Sequence, residues 1–307
     1  MTRGAGERPV VAAVAGALVI AFSAILVDLA DVSPAAAAVY RCAYALPVLG
    51  ALAVWEDRRF GRRTWRERRV AMLAGVFFAA DLITWHHAIA DVGAGLSTVL
   101  GNTQVVFVPF LALAALGERV PRRILRALPL VCLGVVLVSG VLESGAYGAN
   151  PPRGVLFGVL TGLTYAIFLL IQRQGSRDLR RPAGPLFDMT LVCTLTSVVV
   201  DVVLGEGDLV PRWPSAGWLI VLALSSQVLG WLLITVSLPR LPAALTSLTL
   251  TIQPVGSVAL GALLLGQDPS ALQLAGVACI LAGLVSVAVT RRPRAAVAAR
   301  ARGAAGS

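Results

Sequence analysis

The chain contains no lysine, and charged residues of every kind make up only 14% of it. A soluble domain of this length needs a charged shell, and this composition cannot supply one. Its two histidines, His86 and His87, are adjacent. They point to different faces of a helix and cannot chelate a metal as an i, i+4 pair would. The four cysteines (Cys42, Cys132, Cys193, Cys279) fall in apolar segments without metal-ligand spacing. They are expected to be buried small hydrophobes. No GxSxG, HExxH or glycine-rich phosphate loop is present, so the sequence points away from an enzyme, from a cofactor or metal, and from direct ATP coupling.

Apolar sequence is what the chain has in plenty. The hydrophobic fraction is 57% and the mean hydropathy +0.82. Runs of roughly 17–25 apolar residues, the length that crosses a bilayer, recur from one end to the other. They predict helices near 10–30, 35–55, 70–90, 93–116, 126–142, 154–172, 185–204, 216–236, 243–265 and 270–290. The fold class expected is an all-α polytopic membrane protein of ten transmembrane helices. The first apolar run exceeds the 7–15 residues of a signal core, so it is read as a helix despite the small residues Ala35–Ala38 after it.

Charge distribution sets an expected orientation. With the N-terminus inside, 23 of the 26 arginines lie on the cytoplasmic side, seven of them between Arg58 and Arg69. Arg153 and Arg212 lie outside and Arg41 falls within the second helix. The positive-inside rule then places both termini in the cytoplasm. The net charge of +10 is thus a loop property. It fixes insertion and attracts anionic lipid, and nucleic-acid binding is not expected.

The chain also repeats itself. At an offset of 149 residues, Gly93-Ala-Gly-Leu-Ser-Thr lies over Pro242-Ala-Ala-Leu-Thr-Ser. The same offset puts Gln104 on Gln253, Gly117 on Gly266, Glu118 on Gln267 and Gly134 on Gly283. Intramembrane glutamine is rare, so its ungapped recurrence marks a duplication. Five helices per copy is an odd number, so the second copy enters from the opposite side, an architecture of secondary carriers. The domains expected are a cytoplasmic N-terminus (1–9), a first repeat (10–142), an external linker (143–153), a second repeat (154–290) and an arginine-rich cytoplasmic tail (291–307).

Ala114-Ala-Leu-Gly-Glu118, with Gln253-Pro254 and Leu264-Leu-Gly-Gln267 in the second copy, resembles the EamA-type carriers of the drug/metabolite transporter superfamily. The resemblance spans about residues 10–290. It implies export or exchange of small metabolites, amino acids among them, or of toxic compounds. Two positions depart from the family pattern. Val105 stands where a proline is common, with Pro109 one turn later, and Gln267 stands where the second repeat usually has glutamate.

An ionisable group inside the bilayer is costly and therefore a functional candidate. Asp81 lies eleven residues past Val70, about 16 Å along the helix and near the membrane midplane. Thr84, His87 and Asp91 share its side of the helix, and Asp81 with His87 is the candidate for proton coupling. Ser97, Gly101 and Gln104 share a face of the fourth helix, with Thr246, Leu250 and Gln253 as their counterparts. Gln104, Gln253, Ser97, Thr246 and Tyr165 are the candidate substrate-binding residues, Tyr165 on a face with Thr161 and Gln172. Asp28 and Arg41 are expected to form a structural ion pair, and Asp188 and Asp201 to sit at the membrane interfaces. The function expected is secondary transport of a small polar solute, with drug efflux and a non-transporting receptor or assembly protein as alternatives. Small-molecule substrate and lipid are the expected partners.

Overall fold

In the computed structural model the described residues are 4–117, 119–175, 180–205, 209–210, 212–237 and 243–288, and among them the chain is helical without a strand. Among the described residues six stretches are long and apolar enough to cross a bilayer: Val11–Ala30, Pro34–Phe60, Trp65–Gly101, Pro151–Gln172, Ala183–Leu204 and Ser215–Ser237. Gln104–Ala115, Ile252–Leu265 and Ala271–Ser286 are shorter apolar helices. Glu118, Arg240, Pro242 and the tail arginines lie outside the described residues.

All ten apolar segments read from the sequence hold helix over their described residues, but local chemistry divides several of them. The first is α1 (Gly4–Ala21) and α2 (Ser23–Ala30). The second is α3 (Pro34–Ala43) and α4 (Leu46–Phe60), with Pro47 opening α4 because proline has no N–H to continue the earlier ladder. The Ser33 hydroxyl accepts from Ala36 N at 3.2 Å and caps α3.

The third and fourth segments run together as α5 (Trp65–Gly101), which opens on a Thr64/Glu67 capping box. The boundary expected near Asp91–Gly93 is a kink rather than a loop. Gly93 alone leaves the helical region, at φ 82°, a conformation that costs a residue without Cβ little. The true interruption comes at Asn102–Thr103, after which α6 (Gln104–Leu116) begins.

Then follow α7 (Arg122–Val138), α8 (Pro151–Gly175) and α9 (Ala183–Leu204). The next apolar stretch comprises α10 (Ser215–Leu222), a π-helical segment over Ala223–Gly230 and α11 (Trp231–Ser237). The chain closes its described part with α12 (Ala243–Leu265) and α13 (Ala271–Ala288).

Helix α8 lies close against the second half of α5 through Gly154, Gly158 and Gly162. A Cβ on Gly158 would stand 2.6 Å from Leu100 Cβ, and one on Gly162 would collide with Thr103 Oγ1. Gln267 covers the Gly93 kink, and its Oε1 accepts from Gly95 N at 3.2 Å. The position that departs from the family's glutamate thus holds the kink of the other half. Leu195, Val199, Val202 and Val203 of α9 are exposed, an apolar outer face suited to lipid. Cys42 and Cys193 are buried as expected, with their sulfurs 3.4 Å apart. Cys132 is exposed and Cys279 half-buried, because apolar sequence in a membrane protein does not by itself say which face meets protein.

Candidate transport cavity

A cavity of about 70 Å³ lies among α1, α2, α3, α5, α8, α11 and α12. That volume holds a few water molecules. Aromatic and aliphatic side chains form most of its wall, including Phe78, Trp85, Tyr165 and Trp231. Phe168 packs ring against ring on Phe78 and Trp231 of that wall, with centroids 4.9 and 5.7 Å apart. Its polar lining is Ser23, Arg41, Asp81, Thr98, Asn102, Thr161 and Gln253.

Four of the sequence-predicted residues line this cavity: Asp81, Tyr165, Gln253 and Arg41. Asp81 and Arg41 are 6% and 3% exposed, and they share the cavity without forming an ion pair. Arg41 Nε instead donates to Gln227 Oε1 at 3.2 Å, and Gln227 Nε2 donates to Thr190 Oγ1 at 3.1 Å. The Arg41 guanidinium also lies 5.7 Å from the centre of the Trp85 ring. Gln227 belongs to the π-helical segment, a local irregularity that recurs at functional sites. Gln227 and Thr190 were not singled out from sequence. A glutamine within an apolar run, of the kind that drew notice at Gln104 and Gln253, was the available signal.

Gln104 lies just behind the lining. It is buried beside the Tyr165 hydroxyl, and its Oε1 has no hydrogen-bond partner. Ser97 turns away, its hydroxyl donating to Ala94 O at 3.1 Å within its own helix. Gly101 reaches the cavity as expected, but Thr98 and Asn102 reach it in place of Ser97 and Gln104. The Gly93 kink and the break at Asn102–Thr103 change the helical phase that an uninterrupted helix would have given. Thr246 lies in α12 and its side chain is outside the described residues. Thr161 lines the cavity with Tyr165, while Gln172 does not.

The expected Asp28–Arg41 pair is not formed. Asp28 is exposed near the end of α2, and the chain turns through Asp31 before α3 carries Arg41 inward. His87 stacks on Phe157 at 4.7 Å and does not line the cavity, and His86 Nδ1 lies 2.9 Å from Pro34 O. Asp91, the far end of the stripe on α5, is bound by Arg153, whose Nε and Nη2 donate to its two oxygens at 2.8 and 2.6 Å. Asp188 and Asp201 are both buried within the protein. Asp188 meets Arg63 at 2.8 Å and Arg68 at 3.2 Å. Beside it, the Glu56 carboxylate accepts from Ala183 N at 2.9 Å and Gly184 N at 2.8 Å, satisfying the first amides of α9. Two of the loop arginines read as topogenic are therefore also structural.

A helical membrane protein with buried charges at a mostly apolar cavity is built as a small-molecule transporter is built, and the comparisons with known proteins agree. The EamA-like transporter family matches over residues 8–140 and again over 152–289, and the chain belongs to that family. Its substrate class is therefore small molecules and its surroundings are membrane lipid. The pseudopaline exporter CntI of Pseudomonas aeruginosa, found in two strains of that organism, is 25% identical over 223 residues. The match covers 72% of this chain and 75% of the exporter. A solved crystal structure superposes with a TM-score of 0.60 over 91% of this chain and 96% of its own, at 16% identity, which shows a shared fold.

Proposed function

We propose that this protein is a secondary carrier that exports small polar metabolites, such as amino acids, across the inner membrane by alternating access. The observation that carries the reading is the buried cavity holding Arg41, Asp81 and Gln253. It draws lining residues from both of the stretches that match the family. Buried charges in an apolar fold are costly, and a solute path is the use that repays keeping them. The export direction is supported by the activity of the P. aeruginosa relative.

The proposed topology is ten spans as two inverted five-helix repeats, with α1–α2 and α3–α4 each forming one span, α5 divided at Gly93, and both termini cytoplasmic. The offset of 149 residues and the arginine distribution support it. Asp91–Arg153 would then lie toward the outer face and Asp188–Arg63 toward the inner face, so each latch ties an end that must open in turn. Asp81 is the proposed proton site, since it is the only carboxylate lining the cavity among the described residues. His87 is less suited to the role, being stacked on Phe157.

The test uses everted membrane vesicles and the solute that overexpressing cells release into their medium. Wild-type flux is expected to rise with an imposed pH gradient. Asp81→Asn is expected to lose that response and fall to the flux measured without a gradient. Normal transport by Asp81→Asn, with flux that ignores the imposed gradient, would remove proton coupling. No solute released above empty cells would count against export itself.

A further inference from the structure

We infer that Arg41 is a carboxylate anchor, so that the solute carried by this cavity bears a carboxylate on an apolar body; this deepens the transport reading and rests on it. Arg41 is 3% exposed and lines the cavity. Its Nε is held by Gln227, but its Nη1 is buried and has no hydrogen-bond partner. A buried guanidinium N–H left unmade is costly, and such a group calls for a partner that comes and goes. Asp81, the one acidic residue among the described residues that line the cavity, leaves that N–H unpaired.

The surroundings suit a planar anion. Gln227, itself held by Thr190, fixes one edge of the guanidinium, and the Trp85 ring lies against it. The opposite edge is thereby oriented in advance, the arrangement that arginine uses to bind carboxylates with paired N–H donors. Thr98, Asn102 and Gln253 add uncharged polar groups around the same space, while Phe78, Trp85, Tyr165 and Trp231 offer an apolar wall. A neutral sugar-like solute would offer Nη1 only an uncharged acceptor, without the charge assistance of a carboxylate, and a cation would meet the guanidinium charge.

Phenylacetate and phenylacetamide, alike in shape and different in charge, test this with the purified full chain in detergent. Trp85 and Trp231 in the wall report binding through intrinsic fluorescence. Wild type is expected to bind phenylacetate roughly ten- to hundredfold more tightly than phenylacetamide, as a charge-assisted hydrogen bond allows. Arg41→Gln is expected to erase the preference. The double variant Arg41→Gln/Asp81→Asn removes both buried charges together, avoiding an uncompensated one. It must also lack the preference while melting as a folded protein. Equal binding of the two probes by wild type, no binding of phenylacetate, or a preference surviving in the folded double variant would each overturn the assignment. Solute release from wild-type cells is a separate readout. Release without a carboxylate preference would leave the carrier standing and remove the anchor.

Discussion

Replacing Asp188 with alanine is expected to destabilise the folded protein by about 3–5 kcal/mol, the cost of leaving a buried charge unpaired. Asp188 is fully buried, and its partner Arg63 is only 7% exposed, so water cannot take over the lost interaction. Arg68, at 41% exposed, is screened by solvent and adds little. The same corner holds Glu56 against the first amides of α9, so loosening it also frees the start of that helix. Thermal melting of detergent-solubilised protein measures the effect. A double replacement, Arg63→Met with Asp188→Leu, is expected to recover most of the loss because neither member of the pair is then left without the other. An alanine variant that melts like wild type would show that the pair contributes nothing.

Gly162→Val is expected to cost about 1–3 kcal/mol through overpacking, and to impair transport beyond its effect on stability. The new Cβ would run into Thr103 Oγ1, and it would lie 3.2 Å from Gln104 N and 3.4 Å from Gly101 O. Two of those contacts are backbone atoms, which cannot rotate aside. Relief therefore requires α8 to move away from the Asn102–Thr103 break, carrying Thr161 and Tyr165 out of the cavity wall. Membrane yield, melting behaviour and flux of the exported solute check the prediction together. Gly145→Ala is a useful contrast for space, because a Cβ there meets nothing within 4 Å. Wild-type stability and flux in Gly162→Val would mean that the close approach is not required.

Length and hydropathy were enough to locate the helical segments, because a membrane demands long apolar runs and places charge between them. The interruptions were harder to read. Pro47 is a visible break, but the kink at Gly93 and the turn at Asn102–Thr103 depend on what packs there, Gln267 in the first case and α8 in the second. Those two irregularities decide which residues of α5 reach the cavity, which is why Thr98 and Asn102 lie where Ser97 and Gln104 were expected. Asp81, Tyr165 and Gln253 were legible as polar groups in apolar sequence, since a bilayer makes such residues conspicuous. Arg41 was legible too, but its partner was not: Asp28 is near in sequence, while Gln227 is 186 residues away. The Gly154/Gly158/Gly162 spacing of four was also present in the sequence as a helix-packing signal. Its significance becomes clear only with α5 lying against it.

The most direct measurement is release of metabolites from cells making the wild-type chain or the Gln104→Ala/Gln253→Ala variant at equal membrane levels. Gln253 lines the cavity, and Gln104 stands beside Tyr165 with its carbonyl unpaired. If solute passes through this cavity, the wild type alone accumulates a specific small metabolite in the medium, while the variant inserts normally and releases none above empty cells. Equal release by both proteins would contradict a path through this cavity.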